Sequence, residues 1–186
     1  MQTVNVDIGR WLNDTWNLYK THFGLLVLVH LVAILLGALT LGILAGPLWL
    51  GASMIALALV DGKSPPPVAD VFQGFSKFLP SFLLVLLVGL AGIIAALIFQ
   101  LTCVLAPLTP VAVLVLTTAT MFSIFLIGEK NLSVWPAVQQ SFEMVKPAFW
   151  PLLAWVLLVS LLAGLGSIAC GIGAILTATL YTCGMA

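Results

Sequence analysis

Polar and apolar positions segregate along this chain on a coarse scale. Charged side chains fall in three clusters: Asp7, Arg10, Asp14 and Lys20; Asp61, Lys63, Asp70 and Lys77; Glu129, Lys130, Glu143 and Lys146. Between and after them lie stretches with no charge, Thr21 to Val60, Phe78 to Gly128 and Pro147 to Ala186, of 40, 51 and 40 residues. About 20 residues cross the hydrocarbon core of a bilayer, so each stretch is too long for one crossing. Each is broken near its middle by turn formers: Gly42 and Gly46-Pro47, then Pro107 and Pro110, then Gly164, Gly166, Gly171 and Gly173. The pattern predicts three helical hairpins and six transmembrane helices, at about 23–44, 47–60, 80–104, 110–128, 149–167 and 171–186. The second is short. Either it tilts into thin bilayer, or its turn falls earlier, near Thr40 to Gly42.

An amphipathic segment precedes each hairpin, with helical period. Ile8, Trp11, Leu12, Trp16, Tyr19 and Phe23 oppose Arg10, Asn13, Asp14 and Asn17. Val71, Phe72, Phe75, Phe78 and Leu79 oppose Asp70, Gln73 and Lys77. Trp135, Val138, Phe142, Val145 and Phe149 oppose Gln139, Gln140, Glu143 and Lys146. Segments too polar to span, with aromatic apolar faces, are expected to lie in the membrane interface. The expected fold is all-α integral membrane: one domain, 1–186, as a threefold internal repeat of units at about 6–63, 68–130 and 133–186. Chance likeness between hairpins that each need a charged stop and an aromatic belt is the alternative.

Composition sharpens this reading. Hydrophobic residues make up 62% of the chain and charged residues 6%, against roughly a quarter charged in soluble domains. Net charge is zero, which argues against nucleic acid as a partner, since that needs a basic surface. Met1 to His22 is polar and mixed in charge, unlike a secretory signal. Hairpins put all six Lys/Arg on one side, and Lys/Arg mark the cytoplasmic face. The expected location is a bacterial inner membrane with both termini cytoplasmic. Expected partners are the bilayer, anionic lipids and other membrane proteins.

Candidate chemistry is sparse. His30 is the strongly polar ionisable group within a predicted span. It reads either as an intramembrane functional site, a haem or pigment ligand for example, or as a neutral imidazole bonded to a neighbouring helix. Lys20, Lys77 and Lys146, each just ahead of a hairpin, are candidates for lipid headgroup contacts or for ordinary snorkelling. Cys103 and Cys170 both fall near the charge-free face. They are candidates for a disulfide if that face is oxidising, or for packing as small apolar residues. No metal-spaced Cys/His cluster, HExxH, GxSxG, P-loop or GxGxxG occurs, so no catalytic residue, metal or cofactor is expected. Three roles stay open: a non-catalytic scaffold or accessory subunit, a small transporter or channel lined by His30, Gln100 and the threonines of 117–120, and a pigment- or haem-bearing subunit.

Gly46-Pro47-Leu48 with Gly51, Asp61-Gly62-Lys63 with Pro66, Val71-Phe72-Gln73-Gly74-Phe75, Val138 to Ser141 with Lys146, and the Gly164 to Gly173 stretch occur in that order. In this the chain resembles a broad group of bacterial multi-spanning membrane proteins, which includes the membrane domain beside some glycerophosphoryl diester phosphodiesterases. The resemblance covers most of the chain and implies a helical membrane module. No phosphodiesterase catalytic domain is present, so it implies no activity.

Overall fold

The computed structural model describes residues 8–101, 108–168, 179 and 182. They are helical almost throughout, with no strand among the described residues. In chain order the helices are α1 (Ile8–Thr21), α2 (Phe23–Leu39), α3 (Ala45–Val60), a 3-10 segment (Val68–Lys77), α4 (Phe78–Leu101), α5 (Thr109–Thr120), α6 (Ser123–Lys130), α7 (Val134–Val145) and α8 (Phe149–Ile168). The sixth predicted span lies outside the described residues, save Thr179 and Thr182.

Among the described residues three rods are long and apolar enough to cross a membrane: Val68–Leu101, Thr109–Lys130 and Val134–Leu161, of 34, 22 and 28 residues. A fourth is added if α1 and α2, bent by 87° at His22, count as one. The short second span predicted from sequence is α3. At 16 residues it is about 24 Å long, against about 30 Å of hydrocarbon.

The turn ahead of α3 falls at Thr40–Leu44, the earlier of the two expected positions. Thr40 Oγ1 donates to the Leu36 carbonyl (2.8 Å), and Leu41 and Gly42 follow at φ 51° and 86°. The Gly42 N–H then reaches the Gly37 carbonyl (2.8 Å), satisfying a carbonyl that the helix end leaves open. Gly46-Pro47 therefore sits inside the first turn of α3 instead of making the bend. α3 ends similarly: Gly62, at φ 70°, lets the Lys63 N–H close on the Ala58 carbonyl (3.0 Å).

The 3-10 segment is folded back along α3. Three residues per turn stack positions i and i+3 in a column, which aligns Val68, Val71, Gly74 and Lys77. Val71 and Gly74 are buried. A Cβ on Gly51 would strike the Val71 carbonyl, one on Gly74 the Pro47 carbonyl, and one on Gly46 the backbone of Ser81 and Phe82. Missing side chains thus let two backbones touch. The pairs 51 with 71, 47 with 74 and 46 with 81 show that α3 runs antiparallel to the 3-10 segment and the start of α4.

Two expectations change here. The segments at 68–77 and 134–145 do not turn aside into an interface plane; each continues into the rod that follows it. Their buried positions are small or β-branched residues: Val71 and Gly74 in one, Ala137, Ser141 and Val145 in the other. Phe72, Trp135 and Phe142 face outward, 48%, 63% and 46% exposed. Small residues admit a neighbouring helix closely, whereas the aromatics are too bulky to do so. Only α1 is bent sharply, by 87°, against the helix that follows it. In addition, the charges of the second cluster are not level. Lys77 lies abreast of Gly46 and Pro47, about 20 Å down α3 from Asp61.

α7 and α8 form one rod with a single buried stripe: Ala137, Ser141, Val145, Ala148, Leu152, Val156 and Val159, spaced by threes and fours. It packs with α5, α6, Leu50 and Leu84 around Trp155, which meets Trp11 of α1 edge-on at 6.1 Å. A second cluster joins α2, α3 and Val71. α4 packs on α3 and α5 but contributes little to the core: of its 24 residues only Ser81 and Leu84 are buried.

Candidate functional site

Polar groups inside this bundle are few, and their partners define what it can do. His30 projects from the middle of α2 and is 1% exposed. Its Nδ1 lies 2.8 Å from the Leu26 carbonyl and its Nε2 3.0 Å from Thr182 Oγ1. A carbonyl only accepts, so Nδ1 carries the proton. In the neutral ring Nε2 then accepts from the Thr182 hydroxyl. Both ring nitrogens are engaged, and the Trp49 indole meets the ring edge-on at 6.1 Å. Beside them a cavity of about 450 Å³ opens between α2 and α3 toward the Leu41–Gly42 turn.

The hydroxyls of α5 are held locally. Thr117, Thr118 and Thr120 donate to the carbonyls of Val113, Leu114 and Leu116, each four residues back, at 2.8, 2.8 and 2.9 Å. Such back-bonding makes a hydroxyl inexpensive within a membrane helix. Thr117 and Thr120 border a cavity of about 320 Å³, which Trp49 also lines. Gln100 is exposed near the far end of α4. His30, Gln100 and the threonines therefore do not line one cavity among the described residues.

Ser141 was not singled out by sequence. Its hydroxyl donates to the Ala119 carbonyl (2.9 Å) and accepts the Phe122 N–H (3.3 Å). This insertion into the hydrogen-bond ladder accounts for the break between α5 and α6. The signal available was a serine on the small-residue face of an amphipathic run.

The three candidate headgroup lysines differ sharply. Lys77 is half-buried, and its ammonium donates to the Ile127 carbonyl (3.1 Å) and to that of Gly128. These carbonyls belong to the last turn of α6, where acceptors lack helical partners and the helix dipole is negative. Lys77 thus caps α6. Lys146 pairs with Glu143 (2.9 Å) and lies over the Phe142 ring, both on the exposed surface. Lys20 lies 5.9 Å from the Trp16 ring centroid at the end of α1. The three are not brought together. Cys103 and Cys170 lie outside the described residues.

Among the described residues no group of His, Cys, Asp and Glu is placed to hold a metal ion. Each described acid that forms an ion pair does so at the surface: Asp14 with Arg10, Asp61 with Lys63 and Glu143 with Lys146. Among the described residues three buried polar side-chain atoms have no hydrogen-bond partner, Thr109 Oγ1, Ser123 Oγ and Trp155 Nε1, and they are scattered over α5, α6 and α8. No family model matches this chain, and neither a curated protein nor a solved structure matches it.

Proposed function

We propose that this chain is a non-catalytic membrane module, a scaffold or accessory subunit that organises a partner protein or lipids. The observation that carries this reading is the contrast between its interior and α4. Inside, the ionisable and hydroxyl groups are mostly bound to backbone carbonyls or to one another. Outside, α4 packs on its neighbours along one side and offers an apolar surface on the other: Leu90, Ile93, Leu97 and Leu101 are each more than half exposed. A lipid-facing or partner-facing rod has this character, since lipid tails and apolar side chains solvate it equally well. The resemblance to the membrane domains found beside glycerophosphoryl diester phosphodiesterases points the same way. The module sits in a bacterial inner membrane with both termini cytoplasmic, a reading that rests on the Lys and Arg at the hairpin ends and excepts Lys77, which is held on the α6 carbonyls.

Two measurements test this. Purified from its native membrane in mild detergent, the protein carries a stoichiometric partner or lipid; a bare chain with neither removes the reading. Cysteines placed at Lys63 and Lys130 react with an impermeant thiol reagent from the cytoplasmic side alone. Labelling from opposite sides overturns the orientation.

A second reading, a small-solute transporter, draws on Trp49, which lines both the His30 cavity and the threonine cavity. It requires that Trp49→Ala change solute flux into proteoliposomes. Equal flux in protein-free vesicles, in the unaltered chain and in the variant eliminates it.

A further inference from the structure

The exposed apolar side of α4 is not featureless. A groove of about 500 Å³ runs along α4 from Leu83 to Ile94 and is closed on one flank by Val134 and Trp135 at the start of α7. The eleven helical rises from Leu83 to Ile94 make it about 16 Å long. That is close to the hydrocarbon depth of one leaflet, half of about 30 Å. Its walls are leucine, isoleucine, alanine, valine and indole, so it takes an alkyl chain and offers nothing to a polar solute.

The surroundings of the groove select a headgroup. Five of the six cations are engaged: Arg10 with Asp14, Lys63 with Asp61, Lys146 with Glu143, Lys77 on two carbonyls, and Lys20 over an indole. Among the described residues Lys130 has no such partner, and its side chain is exposed. It stands four residues before Val134, within roughly 14 Å of the groove wall by chain length alone. Glu129 precedes it but forms no ion pair with it. An apolar slot one leaflet deep, flanked by an indole and an unpaired ammonium, matches an amphiphile with one anionic end.

We propose that this groove is a site for an anionic glycerophospholipid, with an acyl chain along Leu83 to Ile94 and the phosphate within reach of Lys130. The site differs from the lysines that sequence alone suggested. It rests on α4 facing lipid, and not on a protein partner.

The test uses the full chain in phosphatidylcholine vesicles containing increasing fractions of phosphatidylglycerol with dibrominated acyl chains, or of phosphatidylcholine brominated in the same way. Bromine quenches tryptophan on contact, and the contribution of Trp135 is the difference between the unaltered chain and Trp135→Phe. One basic residue near a headgroup favours the anionic lipid about fivefold. Half-quenching of Trp135 is expected at about a fivefold lower fraction of phosphatidylglycerol than of phosphatidylcholine. Lys130→Gln should erase that preference and Lys20→Gln should leave it. Equal quenching by both lipids, or a preference that survives Lys130→Gln, overturns the site and leaves the membrane module standing. Quenching by neither lipid overturns both the site and the lipid-facing placement of α4.

Discussion

Replacing Gly51 with alanine probes the contact on which the first half of the fold rests. The added Cβ would lie well inside the 3.0 Å that real Cβ contacts do not breach, and the atom it meets is the backbone carbonyl of Val71. A backbone atom in a packed column cannot swing aside as a side chain can. α3 and the 3-10 segment must therefore separate by about 1 Å, a gap that forfeits a quarter to a half of each dispersion contact across it. Overpacking of this kind costs about 1–3 kcal/mol. Alanine recovers up to about 1 kcal/mol of helix propensity over glycine. The net loss is about 1–2 kcal/mol, and Gly74→Ala, which meets the Pro47 carbonyl, loses as much. Gly89 and Gly92 of α4 supply the control, because a Cβ there meets nothing within 4 Å. Unfolding in mixed micelles, titrated with a denaturing detergent and followed by tryptophan fluorescence, should rank the variants. Gly51→Ala and Gly74→Ala fall below the unaltered chain, while Gly89→Ala and Gly92→Ala match or exceed it. If all four behave alike, the close antiparallel packing of α3 on the 3-10 segment is wrong.

Other consequences can be checked in the same assay. Lys77→Met keeps the aliphatic stem but removes the cap on α6, and should cost about 1.5–3 kcal/mol, the range for hydrogen bonds made by charged groups; no loss of stability argues against the cap. Leu41 holds a left-handed conformation at 94% exposure, so Leu41→Gly should stabilise by about 1 kcal/mol; a loss of stability denies the turn at Thr40–Leu44. Thr182→Val should cost about 1–3 kcal/mol by stranding His30 Nε2, and a double-mutant cycle with His30→Leu should show coupling; additive losses deny the contact.

Much of the helical layout was legible in the chain. Charge clusters and uncharged runs located the helices, and the 3.6-residue period marked which stretches have two faces. What they could not reveal was what covers an apolar face. The runs at 71–79 and 135–149 were expected to lay their aromatics in the membrane interface. Their small residues instead meet other helices, and Phe72, Trp135 and Phe142 face out. Hydrophobicity is a property of one residue, whereas close approach depends on both partners, here Gly51 with Val71 and Gly74 with Pro47. Lys77 illustrates the same limit. Its position ahead of an apolar run suggested a headgroup contact, and the carbonyls it caps lie fifty residues later in the chain. His30 was identifiable as a group needing a partner. Thr182, 152 residues away, had no signal of its own.

The ten-residue column at Val68–Lys77 has a mechanical consequence. It is wound at about 120° and 2.0 Å per residue, where an α-helix takes about 100° and 1.5 Å. Were it to rewind as α-helix, the rod it leads into would be drawn up by about 5 Å and turned by about 200°. The junction therefore behaves as a screw thread: α4 cannot advance or retreat along its axis through this segment without also presenting a different side to its surroundings.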